Sequence, residues 1–115
     1  MDASEKRLYV DEKEGLARLR NNEALYKRML GLFLKSTDFM DLEEALDRGD
    51  LAAAGEIAHA IKGTSGNLSL PKVFELSNAL MIQLRQGVKD IVLIEDYRAA
   101  LHITLAIIVD KINEK

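Results

Sequence analysis

Ala58-His59-Ala60-Ile61-Lys62-Gly63-Thr64-Ser65-Gly66-Asn67 is the stretch around which the rest of the chain is organised. At about 100° per residue on an α-helix, Ala52, Gly55, His59, Lys62, Gly63 and Gly66 gather on one side, and Ala54, Ile57, Ile61 and Leu68 on the other. One face is apolar enough to bury, while the other is stripped of bulk around one histidine and one lysine. A glycine inside a helix costs about 1 kcal/mol relative to alanine, so three on one stripe weaken the element. With no Cβ at Gly55, Gly63 and Gly66, the backbone of another protein can come close to His59. Lys62, one turn on, offers a cation to any anion held on the imidazole.

Taken singly, these residues have ordinary explanations. A lone histidine in a helix is usually a polar surface residue, and a glycine late in a helix is usually a C-cap. A histidine with a lysine at +3 and glycines at −4, +4 and +7 has no shared structural purpose. A neutral imidazole is a competent nucleophile near neutral pH. If His59 attacks a phosphoryl group in line, Lys62 is placed to stabilise the negative charge that arrives with it. No phosphate-binding glycine loop of the Walker type is present, and Lys62-Gly63-Thr64 has the wrong order for one, so the chain is expected neither to bind ATP nor to phosphorylate itself.

Outward from this stretch, the pattern is helical throughout. Residues 1–10 read as a loosely packed lead-in with Leu8, Tyr9 and Val10 as a small apolar cluster. Asp11 caps a short helix to about residue 19, and Asn21-Asn22 forms a turn and an N-cap. In residues 23–35, Tyr26, Met29, Leu30 and Phe33 recur at the spacing of one buried stripe. Ser36, Thr37 and Asp38 stop that helix and start a shorter one, which buries Leu42, Leu46 and Phe39 and keeps Asp41, Glu43 and Glu44 wet.

Gly49-Asp50 closes the shorter helix and caps the histidine helix, which begins at Leu51 and, read from the residues alone, ends at Gly63 or Gly66. Pro71 opens a helix burying Val73, Leu76, Leu80 and Leu84 that stops at Gly87. A last helix over residues 91–113 carries Ile94, Tyr97, Leu101, Leu105, Ile108 and Ile112 on one stripe. Ile103, Ile107 and Val109 widen its apolar arc, which points to deeper enclosure or a dimer contact. His102 lies off that stripe and is assigned no function. These elements predict an all-α, antiparallel four-helix bundle with one or two short additional N-terminal helices.

The chain of 115 residues is read as one domain, residues 1–115. A net charge of −3 argues against a nucleic-acid partner. The absence of cysteine excludes disulfides and thiolate metal sites and suits a reducing cytoplasm. No signal peptide is expected at the charged N-terminus, and the most apolar stretch, residues 101–109, is too short to span a membrane.

The run His59, Lys62, Gly63, Thr64, Ser65, Gly66, Asn67 resembles the signature of histidine-containing phosphotransfer (HPt) domains. The likeness extends over residues 8–90 through Gly15-Leu16-Ala17-Arg18-Leu19, Asn22-Glu23-Ala24-Leu25-Tyr26, Phe33, Gly49-Asp50, Leu76, Leu80 and Gly87. It implies a histidine helix continuing to about residue 68. It also implies a phosphorelay carrier that accepts a phosphoryl group from a receiver-domain phospho-aspartate and passes it to another receiver aspartate. His59 would be the phosphorylated residue, Lys62 its charge partner, and Gly55, Gly63, Gly66, Leu70 and Met81 the docking surface.

The chain would then need no cofactor of its own, the Mg²⁺ being held by the receiver. Its partners would be response-regulator receivers and a hybrid histidine kinase, with no membrane attachment and a monomeric state. Two positions depart from the family pattern. Ser69 stands where many members have glycine. Met81 stands where many have Glu or Gln near the histidine, with Asn78 or Arg85 one turn away as substitutes, or with Met81 enlarging an apolar docking patch beside Leu70. A helical adaptor that binds a receiver or kinase domain without being phosphorylated is the alternative. A carboxylate-type bundle metalloprotein needs Glu-x-x-His pairs on facing helices, and Glu56 with His59 supplies only one.

Overall fold

Five of the helices start at a short polar side chain that accepts the backbone N–H three residues on: Asp2, Asp11, Asn22, Asp50 and Asp90, at 2.8–3.2 Å. Each such cap is worth about 1 kcal/mol against alanine. In the computed structural model, which describes residues 1–114, they open α1 (Ala3–Arg7), α2 (Glu12–Arg18), α3 (Glu23–Leu34), α5 (Leu51–Asn67) and α7 (Ile91–Ile112). The remaining two are α4 (Asp38–Asp47) and α6 (Pro71–Arg85), the latter with Pro71 in its first turn. Gly49 and Gly87 take φ of 71° and 77° in the turns after α4 and α6, a region glycine enters without steric cost. The histidine helix runs through Gly63 and Gly66 to Asn67, longer than the residues alone indicate.

The bundle has four columns, one of them broken. Helices α3 and α4, interrupted at Lys35–Thr37, together form a bent column between α5 and α7, with α4 against α5 and α3 against α7. Helix α6 closes the ring between α5 and α7. An ion pair from Glu43 to Arg98, with Nε to Oε1 at 3.0 Å, ties α4 to α7. The core holds Tyr26, Leu30, Leu42, Leu46, Ile61, Leu80, Leu84, Ile94, Tyr97 and Ile108. Along α7 the buried centre passes through Ala100 and Thr104, and Leu101, Leu105 and Ile112 are only half-buried. Contact with both α3 and α6 turns the buried arc toward the seam between them, where small residues fit.

Residues 1–8 are exposed, as a lead-in would be, and only the end of the segment is tied down. Helix α1 forms within it and Val10 is buried, because that end closes over the loop that follows α5. The amide of Lys72 donates to the carbonyl of Leu8 (2.9 Å), and that of Asp11 to the carbonyl of Ser69 (2.9 Å). The hydroxyl of Tyr26 donates to the carbonyl of Leu68 (2.9 Å). Burial, reinforced by Glu12, Asp11 and Glu14, pushes that hydroxyl's pKa well above its ordinary value, so it stays a donor. The end of the histidine helix is thus clamped by chain lying more than forty residues away in sequence.

Ser69 explains one departure from the family pattern. Its φ is 58°, where glycine is ordinarily preferred. Its hydroxyl donates to Glu14 Oε1 at 2.9 Å, and this bond offsets the strain. Ser69→Ala keeps the strain and loses the bond, and is expected to destabilise by about 1–2 kcal/mol. Ser69→Gly loses the bond but relieves the strain, and is expected to stay within about 1 kcal/mol of wild type by chemical denaturation.

Candidate functional site

His59 sits on the exposed side of α5, midway along a helix whose inner face buries Ala54, Ala58, Ile61 and Ser65. Three hydrogen bonds occupy the hydroxyls just beyond it. Thr64 Oγ1 donates to the carbonyls of Ala60 and Ile61, both at 3.2 Å, and Ser65 Oγ to that of Lys62 at 3.1 Å. These hydroxyls serve their own helix. Lys62 is half-buried on the same side, and among the described residues it forms no ion pair. The nearest negative side chain on the helix face, Glu56, is engaged by Arg85 at 3.3 Å.

The three glycines do three different things, and the register of α6 is the reason. The two helices run antiparallel, with Gly55 level with Arg85, His59 with Met81 and Gly66 with Phe74. A Cβ on Gly55 would lie 3.4 Å from Arg85 Cγ and 3.6 Å from Leu84 Cβ, so buried Gly55 seats α6 and is not docking surface. A Cβ on Gly66 would come within 2.9 Å of the Phe74 ring, which lies over it. Only at Gly63 would a Cβ meet nothing within 4 Å. The space expected beside His59 is therefore concentrated at Gly63.

Leu70 also needs correcting. It is 0% exposed, because the positive φ of Ser69 turns the chain inward, so it cannot form a docking patch with Met81. Met81 is 7% exposed and faces the histidine: its Sδ lies 3.2 Å from His59 Nδ1. Arg85 does not replace a family Glu or Gln at the imidazole, since its guanidinium reaches Glu56.

Two exposed side chains escaped the sequence reading. Phe74 and Ile82, 40% and 48% exposed, flank Met81 along α6. Both lie off the Val73–Leu80–Leu84 stripe, and that displacement was the signal available. A groove of about 520 Å³ also opens where the α3–α4 column breaks, floored by Met29, Leu32, Phe33 and Leu68 and edged by Thr64 and Asn67.

The sequence model of the Hpt domain family matches residues 28–108, most of the chain and all of α4 to α6. The chain belongs to the Hpt domain family. No curated protein and no solved structure matches it. As an Hpt domain it has a phosphotransfer carrier role in two-component signalling, and such domains interact with receiver domains and kinases in phosphorelays. Among the described residues of this Hpt domain, no helix is long and apolar enough to cross a membrane, and no three His, Cys, Asp or Glu side chains come together as a metal site.

Proposed function

We propose that this Hpt domain accepts a phosphoryl group on His59 from a receiver phospho-aspartate and returns it to the aspartate of another receiver. The observation that carries this is the exposed imidazole of His59 beside Lys62, with open space at Gly63, the Thr64 and Ser65 hydroxyls bonded to their own helix and Glu56 engaged by Arg85. Lys62 stabilises the transferring charge. Gly63, Phe74 and Ile82 form the docking face, and the receiver brings the Mg²⁺, so the domain itself needs no cofactor. It works as a monomer in the cytoplasm. The N-terminal residues outside the matched span belong to the same module, because Leu8 bonds to Lys72 at the start of α6 and Asp11 to Ser69 in the loop after α5.

The test is transfer from a panel of phosphorylated receivers with Mg²⁺, followed as acid-labile, base-stable label. Wild type takes up label and His59→Gln does not; equal uptake by the two would remove the proposal. Receiver binding with no label on wild type would favour the adaptor reading.

Gly63→Ala separates docking from stability. Alanine in an unobstructed helix position is expected to stabilise the fold by up to about 1 kcal/mol. The added methyl on the docking face is expected to weaken receiver binding. Titration of a receiver together with chemical denaturation reads both effects, and unchanged affinity in the stabilised variant would exclude Gly63 from the interface.

A further inference from the structure

The sulfur of Met81 is held against the imidazole of His59 by the packing of α6 on α5. It lies 3.2 Å from Nδ1, and the side chain is almost wholly buried. A thioether has lone pairs and no proton to give. A hydrogen bond across this contact exists in one form only, with the hydrogen on Nδ1 donated to Sδ. In a neutral imidazole one nitrogen carries the proton and the other the lone pair. A proton fixed on Nδ1 therefore leaves the lone pair on Nε2.

Resting on His59 as the phosphoryl acceptor, we infer that Met81 is a positioning residue whose thioether fixes the Nδ1–H tautomer and, as a weak acceptor, keeps the phosphoryl group on Nε2 easy to pass on. In the step itself, the Nε2 lone pair attacks phosphorus and an N–P bond forms. The P–O bond to the receiver aspartate breaks, and its electron pair leaves with the carboxylate. The ring keeps its Nδ1 proton and becomes positively charged. An amide or carboxylate oxygen facing Nδ1 gains strength as that charge appears, whereas a thioether gains far less. The transfer equilibrium therefore lies further toward phospho-aspartate than it would with an oxygen at position 81.

A purely structural Met81 would be replaced without consequence by leucine, which has similar volume. The first arm of the test is a long-range ¹H–¹⁵N correlation of the histidine rings in ¹⁵N-labelled protein, with exposed His102 as internal reference. His59 is expected to show more Nδ1–H tautomer than His102 in wild type and in Met81→Gln. In Met81→Leu it is expected to fall to the His102 pattern. The same tautomer mixture at His59 in wild type and Met81→Leu overturns the inference.

The second arm uses phosphoramidate as donor, so that no receiver is needed; its N–P bond breaks and ammonia departs as Nε2 takes the phosphoryl group. At a fixed phosphoramidate-to-ammonium ratio, ³¹P spectra are expected to show Nε2-phosphohistidine, with Met81→Gln carrying about fivefold more of it than wild type. Equal occupancy, or phosphorylation at Nδ1, overturns the inference while leaving His59 as acceptor. Undiminished label in His59→Gln overturns the acceptor assignment itself, whatever the tautomer.

Discussion

Gly15→Ala is expected to destabilise the domain by about 3 kcal/mol, although alanine is the better helix former. A Cβ at Gly15 would lie 2.5 Å from Tyr26 Cε1 and 2.6 Å from both Cζ and the hydroxyl oxygen. Tyr26 is fully buried, so its ring has no solvent to swing into. Displacing it also breaks the bond from its hydroxyl to the carbonyl of Leu68 and loosens the clamp on the end of the histidine helix. The loss is a large part of the roughly 5–15 kcal/mol by which a domain is stable. It is expected to appear as a fall in Tm of roughly 10–15 °C. Chemical denaturation checks the value, and a cost below about 1 kcal/mol would mean that the ring adapts. The same substitution at Gly63 carries the opposite sign, because nothing stands within 4 Å there.

Lys62→Glu is expected to slow phosphoryl uptake from a receiver by about 100-fold, since a cation near the transferring group is replaced by an anion. Stability should change little, because among the described residues Lys62 makes no ion pair whose loss would matter. Lys62→Arg keeps the charge and is expected to retain most of the rate. Initial rates of label uptake check both variants. A Lys62→Glu rate within about threefold of wild type would assign Lys62 to solubility or packing.

Most element boundaries were legible because the residues that set them act locally. Asp11, Asn22 and Asp50 cap the helices that follow, Gly49 and Gly87 turn the chain, and Pro71 opens α6. The bundle was legible in the apolar stripes, and His59 with Lys62 in their shared helix face. What stayed hidden depends on how elements meet. A helical wheel puts Gly55, His59 and Gly66 on one side, but it cannot say that α6 crosses that side and fills the space at Gly55 and Gly66. Leu70 looks like an apolar residue free to dock until the left-handed turn at Ser69 sends it inward. Met81 looked like a lost hydrogen-bond partner, and only the antiparallel register brings its sulfur to Nδ1. The clamp of residues 8–15 on the loop after α5 joins stretches too far apart for any local pattern to announce.

The most direct measurement is the position of the phosphoryl group after transfer from a receiver. The chain has two histidines, His59 and His102, both exposed, and they fall in different proteolytic fragments. Fragment mapping under base-stable conditions is expected to find the label on His59 alone. Label on His102, or label lost in base as an acyl phosphate on an acidic side chain would be, would contradict the assignment of this helix face as the phosphotransfer site.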